Sequence, residues 1–292
     1  MNRYLVQMKP RLLLLLTITG VIGYLIPSMN NIKLLDILAF TLFGVLSAAG
    51  AMTINNVIDK DLDSQMTRTA SRPTTGPDAL PTLNLVILGF LLSIIGFLGG
   101  YFYFGFNTFF HLAFGNIFYL TFYSLYLKRN SVWSAIAGGL SSPSPVWAAY
   151  AARYDLGQII TNMEFLGVNL EGWLLGGIVF IWTPSHTWSM ATKNYEDYKN
   201  SNIPMLPVVV GIEKTAFWTF IFGLTTIIYS TIVAIWITNN WIIFLLLIPI
   251  NYLFLKSLLT FYQKPSILTG KQNFKQHNMW LTIIFLSIIF LS

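Results

Sequence analysis

Apolar residues run through this chain in long blocks separated by short polar breaks. Blocks at residues 12–26, 37–54, 83–104, 108–127, 132–152, 172–191, 217–238, 241–261 and 279–291 predict nine helices. Each approaches the roughly 20 residues needed to cross a hydrocarbon layer, the first and last being the shortest. The opening block follows Arg3, Lys9 and Arg11 and so has the charge pattern of a secretory leader. No small-x-small cleavage site follows it and Pro27 ends it, so it reads as a helix that stays in the protein.

Composition agrees with that pattern. The 292 residues are 55% hydrophobic and only 10% charged, against about 25% charged in soluble domains. This excludes an ordinary globular enzyme. The expected class is all-α, a polytopic membrane protein. Cysteine is absent, which excludes disulfides, iron–sulfur clusters, thiolate zinc sites and covalent haem attachment.

The basic residues set an orientation. With an internal N-terminus, segments 1–11, 55–82, 128–131, 192–216 and 262–278 share one side. Arg3, Lys9, Arg11, Lys60, Arg68, Arg72, Lys128, Arg129, Lys193, Lys199, Lys214, Lys264, Lys271 and Lys275 fall there, with Lys256 near it. Only Lys33 and Arg153 fall opposite. The positive-inside bias makes the first side cytoplasmic. The net charge of +6 then reflects topology and anionic lipid and gives no reason to invoke nucleic acid.

The candidate chemistry lies on that same side. Asn55, Asp59 and Asp63 are spaced i, i+4, i+8 and so stack along one helix face. A row of oxygen donors suits a hard cation such as Mg²⁺. Asp61 faces away from the row. Arg68 and Arg72 follow it, and acids interleaved with bases point to a metal–phosphate complex rather than to a bare cation. A second loop carries Lys193, Glu196, Asp197 and Lys199. Its two acids are adjacent, so at most one of them points at a site. Tyr119, Tyr123 and Tyr126 lead into Lys128 and Arg129. That pattern reads as an aromatic belt with a positive anchor, or as Tyr123 lining a pocket and Lys128 reaching a diphosphate. His186 lies within the sixth block, where a histidine needs a partner. No second ligand sits three or four residues away, which favours a hydrogen bond to substrate or to another helix over metal ligation. His111 and His277 read as interfacial residues.

Residues 55–73 resemble the first aspartate motif of the UbiA-type intramembrane prenyltransferases. More narrowly, the chain resembles the protoheme IX farnesyltransferase (haem O synthase) branch. This rests on Met8-Lys9-Pro10-Arg11, on residues 123–133, on Gly138-Gly139-Leu140-Ser141 with Pro143 and Pro145, and on Pro184-Ser185-His186 through Asp197 to residues 203–209. The resemblance implies one transmembrane prenyltransferase domain over residues 1–292, with nine membrane helices around a central cavity. It implies a Mg²⁺-dependent enzyme, with Asn55, Asp59, Asp63 and Asp197 serving the metal and Asp59, Asp63 and Asp197 catalytic. Arg68, Arg72, Tyr123, Lys128, His186, Lys193 and Lys199 would contact substrates. These are farnesyl diphosphate and haem B, the latter a substrate and not a cofactor. Product would pass to haem A synthase or terminal-oxidase assembly factors. Asn56 and Lys193 stand where many relatives have an acid, which leaves the number of metal ions open. The rival readings are a UbiA-type enzyme acting on a quinone precursor or a glycerol-phosphate lipid, and a membrane transporter. A transporter predicts ionisable residues near mid-span, which are few here.

Overall fold

The computed structural model describes residues 3–27, 32–76, 78–158 and 164–291; the Arg11 side chain lies outside that description. Among the described residues the regular structure is helical apart from one short hairpin. Helices α1 (Arg3–Gln7), α2 (Pro10–Leu25), α3 (Leu34–Ile58), α4 (Lys60–Gln65), α5 (Thr82–Tyr103) and α6 (Phe106–Ile117) lead into a π-helical segment, Phe118–Leu127. Then come α7 (Lys128–Asn130), α8 (Ser134–Ala137), a 3₁₀ turn (Gly138–Ser141) and α9 (Ser144–Asp155). The hairpin of Glu164–Phe165 and Val168–Asn169 follows, and then α10 (Leu170–Lys193), α11 (Tyr195–Asn200), α12 (Leu206–Thr238), α13 (Ile242–Gln263) and α14 (Ile267–Leu291).

Each predicted block falls on helical backbone; α12 begins at Leu206, eleven residues before its block, and two other blocks differ further. The block at 132–152 is not one helix. Gly138 and Gly139 loosen the backbone, and Pro143 and Pro145 remove donors, so α8, a 3₁₀ turn and α9 replace it. The last helix begins at Ile267, twelve residues before its apolar block, because Asn273 and His277 are polar yet buried. Among the described residues, five helices are long and apolar enough to cross a membrane: α3, α5, α12, α13 and α14. The protein is an all-helical, multi-pass membrane protein.

The chain forms two compact units, Met1–Tyr126 with Pro143–Trp173, and Leu127–Ser142 with Leu174–Ser292. In the first, α3 packs along α5 through small residues. A β-carbon at Gly50 would lie 2.6 Å from the Ser93 nitrogen, and one at Gly96 would lie 2.5 Å from the Ser47 nitrogen. Close backbone approach of this kind replaces hydrophobic driving force inside lipid. Around Tyr24, Phe40, Phe104 and Leu112 an apolar core gathers α2, α3, α6 and α9. Polar bonds pin the end of this unit remote from the acid row. Tyr103 Oη donates to Asp36 at 2.9 Å and Gln158 Nε2 donates to Asp36 at 2.8 Å. Buried Arg153 donates to the carbonyls of Tyr24 and Pro27 at 3.1 and 2.6 Å. Asp155 caps α6 from outside, accepting from the Thr108 amide at 2.9 Å and from Asn107 Nδ2 at 2.7 Å. His111 is buried rather than interfacial, its Nε2 3.0 Å from the Leu166 carbonyl. Leu166 and Gly167 both take positive φ and turn the hairpin.

In the second unit, Ala135, Trp188 and Leu206 form a core with Phe222 packed on it. Gly211, at φ 85°, kinks α12 near its start. A polar seam joins three helices. His277 Nε2 lies 3.0 Å from Ser185 Oγ, Asn273 Nδ2 donates to Ser189 Oγ at 3.0 Å, and Ser257 Oγ donates to Asn273 Oδ1 at 2.9 Å. His277 is therefore a buried helix-joining residue, and the interfacial expectation is corrected.

Gly50→Val should force α3 off α5 and cost about 1–3 kcal/mol. A thermal melt of the detergent-purified protein should show a clearly lowered midpoint; a wild-type midpoint would mean that the close approach contributes nothing.

Candidate active site

The acid row lies where α3 gives way to α4. Asp59, at φ −88° and ψ 6°, separates the two helices. The i→i+4 ladder nevertheless continues through it, from the Asp59 amide to the Asn55 carbonyl at 2.9 Å and from the Asp63 amide to the Asp59 carbonyl at 2.7 Å. Asn55, Asp59 and Asp63 thus stay on one face and are 2%, 3% and 3% exposed. Asp61 and Lys60, on the other face, are exposed.

Burial of two carboxylates requires partners. Asn55 Nδ2 donates to Asp59 Oδ2 at 3.0 Å and to Ser124 Oγ at 2.9 Å, while Asn55 Oδ1 accepts from Lys9 Nζ at 2.5 Å. The amide can face only one way here, since an ammonium only donates and a carboxylate only accepts. Arg72 forms a hydrogen-bonded ion pair with Asp63 and lies 3.4 Å from Asn56 Oδ1. Asn56 in turn donates to Gln7 Oε1 at 2.7 Å and to the Gln7 carbonyl at 2.8 Å. Consecutive turns aim Arg72, with Thr69 Oγ1 donating to the Asp63 carbonyl at 3.0 Å and the Arg72 amide to the Thr69 carbonyl at 2.9 Å. Arg68 is exposed, its guanidinium 3.9 Å from Met66 Sδ.

Ser124 reaches Asn55 from the π-helical segment. Its hydroxyl also donates to the carbonyl of Tyr119, five residues back, at 2.9 Å, as the wider π turn allows. Tyr119 and Tyr123 stack with ring centroids 5.7 Å apart.

The other sequence candidates belong to the second unit. Lys128 stands in α7, half-buried. His186 stacks on Trp182 at 4.0 Å and lies against Phe274 at 4.9 Å. Its Nδ1 is buried with no hydrogen-bond partner among the described residues, so the link to a neighbouring helix is one of ring contact rather than a hydrogen bond. Lys193 Nζ lies 4.8 Å from the Phe274 ring centroid. On α11, Glu196 is exposed and Asp197 half-buried, so the adjacent acids part as the helical period requires. Lys199 is exposed, its Nζ 5.8 Å from the Tyr195 ring.

Lys9, Gln7 and Ser124 escape sequence reading as site residues. Lys9 is hidden in a basic run that topology already explains, and Ser124 depends on a π register that apolar periodicity does not mark. The donor set suits one hard divalent ion. Among the described residues no three acids or histidines cluster. Mg²⁺, which keeps several waters and shares phosphate oxygens, needs only one or two protein carboxylates.

Fold and site together define a polytopic helical membrane protein with a buried, charge-balanced oxygen row at the end of an apolar helix. The chain belongs to the UbiA prenyltransferase family, whose model matches residues 14–284. It is similar to a protoheme IX farnesyltransferase of Saccharolobus islandicus, 36% identical over 202 residues covering 69% of this chain and 66% of that one. It is also similar to one of Thermus thermophilus, 30% identical over 284 residues covering 97% of this chain and 44% of that one. The chain thus spans less than two thirds of the length of either relative. Among solved structures, a digeranylgeranylglyceryl phosphate synthase superposes with TM-score 0.76 at 18% identity, covering 99% and 97% of the two chains. A UbiA homologue from Archaeoglobus fulgidus bound to GPP and Mg²⁺ gives 0.73 at 15% identity, covering 99% of each. These two share the fold.

Ser124→Ala leaves a buried Asn55 N–H without its acceptor, a loss of about 1–3 kcal/mol. The melting midpoint should fall, and Ser124→Thr, which keeps the hydroxyl, should recover most of it.

Proposed function

We propose that this protein is a Mg²⁺-dependent prenyltransferase that joins the farnesyl group of farnesyl diphosphate to a vinyl group of haem B and adds water, giving haem O. The buried row of Asn55, Asp59 and Asp63 beside Arg72 carries the metal–diphosphate half of the assignment. The haem half rests on the two named relatives and on the His186 to Pro207 stretch. The proposal includes a single prenyltransferase domain, nine crossings, and a polar mouth on the cytoplasmic side.

Asp59 and Asp63 would hold the ion, with Asn55 aligning Asp59. When bound, Mg²⁺ supplies Lewis-acid neutralisation of the charge that develops on the leaving diphosphate. Arg72 and Arg68 add fixed positive charge at the same end of α3, stabilising the anion as the carbon–oxygen bond breaks. Diphosphate leaves with the bonding pair. The vinyl π electrons then form the new carbon–carbon bond to the allylic cation, and water captures the resulting cation and loses a proton. The roles of Tyr123, Lys128, His186, Lys193, Asp197 and Lys199 toward metal and substrates rest on the sequence resemblance alone.

Detergent-purified protein given haem B, farnesyl diphosphate and Mg²⁺ should yield farnesylated haem by mass spectrometry. EDTA should abolish turnover and added Mg²⁺ should restore it. Turnover of an aromatic acid or a glycerol-phosphate lipid, with haem untouched, would overturn the haem assignment.

Loss of an outer-sphere partner of a metal site typically costs 10–100-fold. Asp59→Asn and Asp63→Asn should therefore each lower the rate by more than about 100-fold. Asp61→Asn, on the exposed face, should stay within about twofold of wild type. A wild-type rate for either row variant would reduce the row to a solvated helix end.

A further inference from the structure

The row does not wait empty for a metal, because two side-chain cations already sit on it. Arg72 holds Asp63, and Lys9 Nζ lies 2.5 Å from Asn55 Oδ1, the one oxygen that this amide has to offer an ion. Lys9 takes up this position at a conformational cost. It has φ 50° and ψ 63°, a left-handed conformation in a residue with a β-carbon, and it precedes Pro10. Such backbone is unfavourable for a residue with a β-carbon and persists only where the surroundings enforce it. They do so here, since Asn56 grips both the side chain and the carbonyl of Gln7 and so fixes the segment that carries Lys9. Two acids, Asp59 and Asp63, therefore face two bases, and the resting site is close to neutral.

Granted the metal–diphosphate role proposed above, we infer that Lys9 and Arg72 are resident counter-ions that bar a bare divalent cation and admit it only together with diphosphate. A metal ion arriving alone must displace both bases, leaving an ammonium and a guanidinium without anions beside a dication. Diphosphate arriving alone meets bases already engaged by the row. A metal–diphosphate complex satisfies both sides: the ion takes the row, and the released Lys9 and Arg72 take phosphate oxygens. The two ligands are then coupled, and by linkage each tightens the other equally.

The test uses the full-length protein in detergent with Mn²⁺ as the metal probe and inorganic pyrophosphate as the anion. Protein-bound Mn²⁺ is measured by equilibrium dialysis against fixed free Mn²⁺. For wild type, pyrophosphate should lower the half-saturating free Mn²⁺ by about tenfold or more, within the usual range of such couplings. Lys9→Gln and Arg72→Gln should each bind Mn²⁺ alone more tightly than wild type does and respond less than about threefold to pyrophosphate, whereas Lys9→Arg should keep the wild-type response. Equal wild-type affinity with and without pyrophosphate, a result that needs no variant, would overturn the inference. So would wild-type coupling in both glutamine variants. No Mn²⁺ uptake under either condition would overturn the metal reading itself, and the inference with it.

Discussion

Carboxylates cannot be buried at the end of an apolar helix unless cations or strong donors are built around them. Asp59 and Asp63 impose that requirement on everything near them. Asn55 bridges Asp59 to Ser124 on the π-helical segment and to Lys9 before α2. Arg72 reaches back from the loop after α4 to Asp63. The N-terminal segment, the first long loop and the fourth predicted span are thereby all tied to the junction of α3 and α4. The same bonds that hold the fold at this point set the electrostatics of the candidate site, so stability and chemistry here cannot be tuned separately.

The fold class was legible because bilayer thickness leaves a coarse signature, and long apolar blocks survive any local irregularity. What hydropathy conceals is backbone detail. Gly138, Gly139, Pro143 and Pro145 are visible as breakers, yet the apolar residues around them outweigh their signal, and a broken run reads as one span. The start of α14 is concealed for the opposite reason. Lys271, Asn273, Lys275 and His277 look like a loop, and only burial of Asn273 and His277 against α10 reveals a helix.

The site was legible where its logic is local. The four-residue spacing of Asn55, Asp59 and Asp63 survives the break at Asp59 because the backbone ladder runs through it. The outward position of Asp61 and the parting of Glu196 from Asp197 follow from the same helical period. Partners drawn from far along the chain were not legible. Lys9, Gln7 and Ser124 meet the row only through tertiary packing, and no local pattern marks them. His111 and His277 were misplaced for a related reason: a histidine near a span end looks interfacial until its hydrogen-bond partners are known.

The polar seam of the second unit bears on how the chain is made. Of the five helices among the described residues that are long and apolar enough to cross a membrane, α14 has the weakest hydropathy, 1.3 against 2.0–2.3 for the others. Its first half offers Asn273 and His277 to lipid unless Ser185 and Ser189 of α10 are present to receive them. Among those five, α14 is thus the helix least able to partition on its own, and its insertion is coupled to its docking on α10. The residence of this segment in the bilayer is licensed by the hydroxyls of a helix made before it.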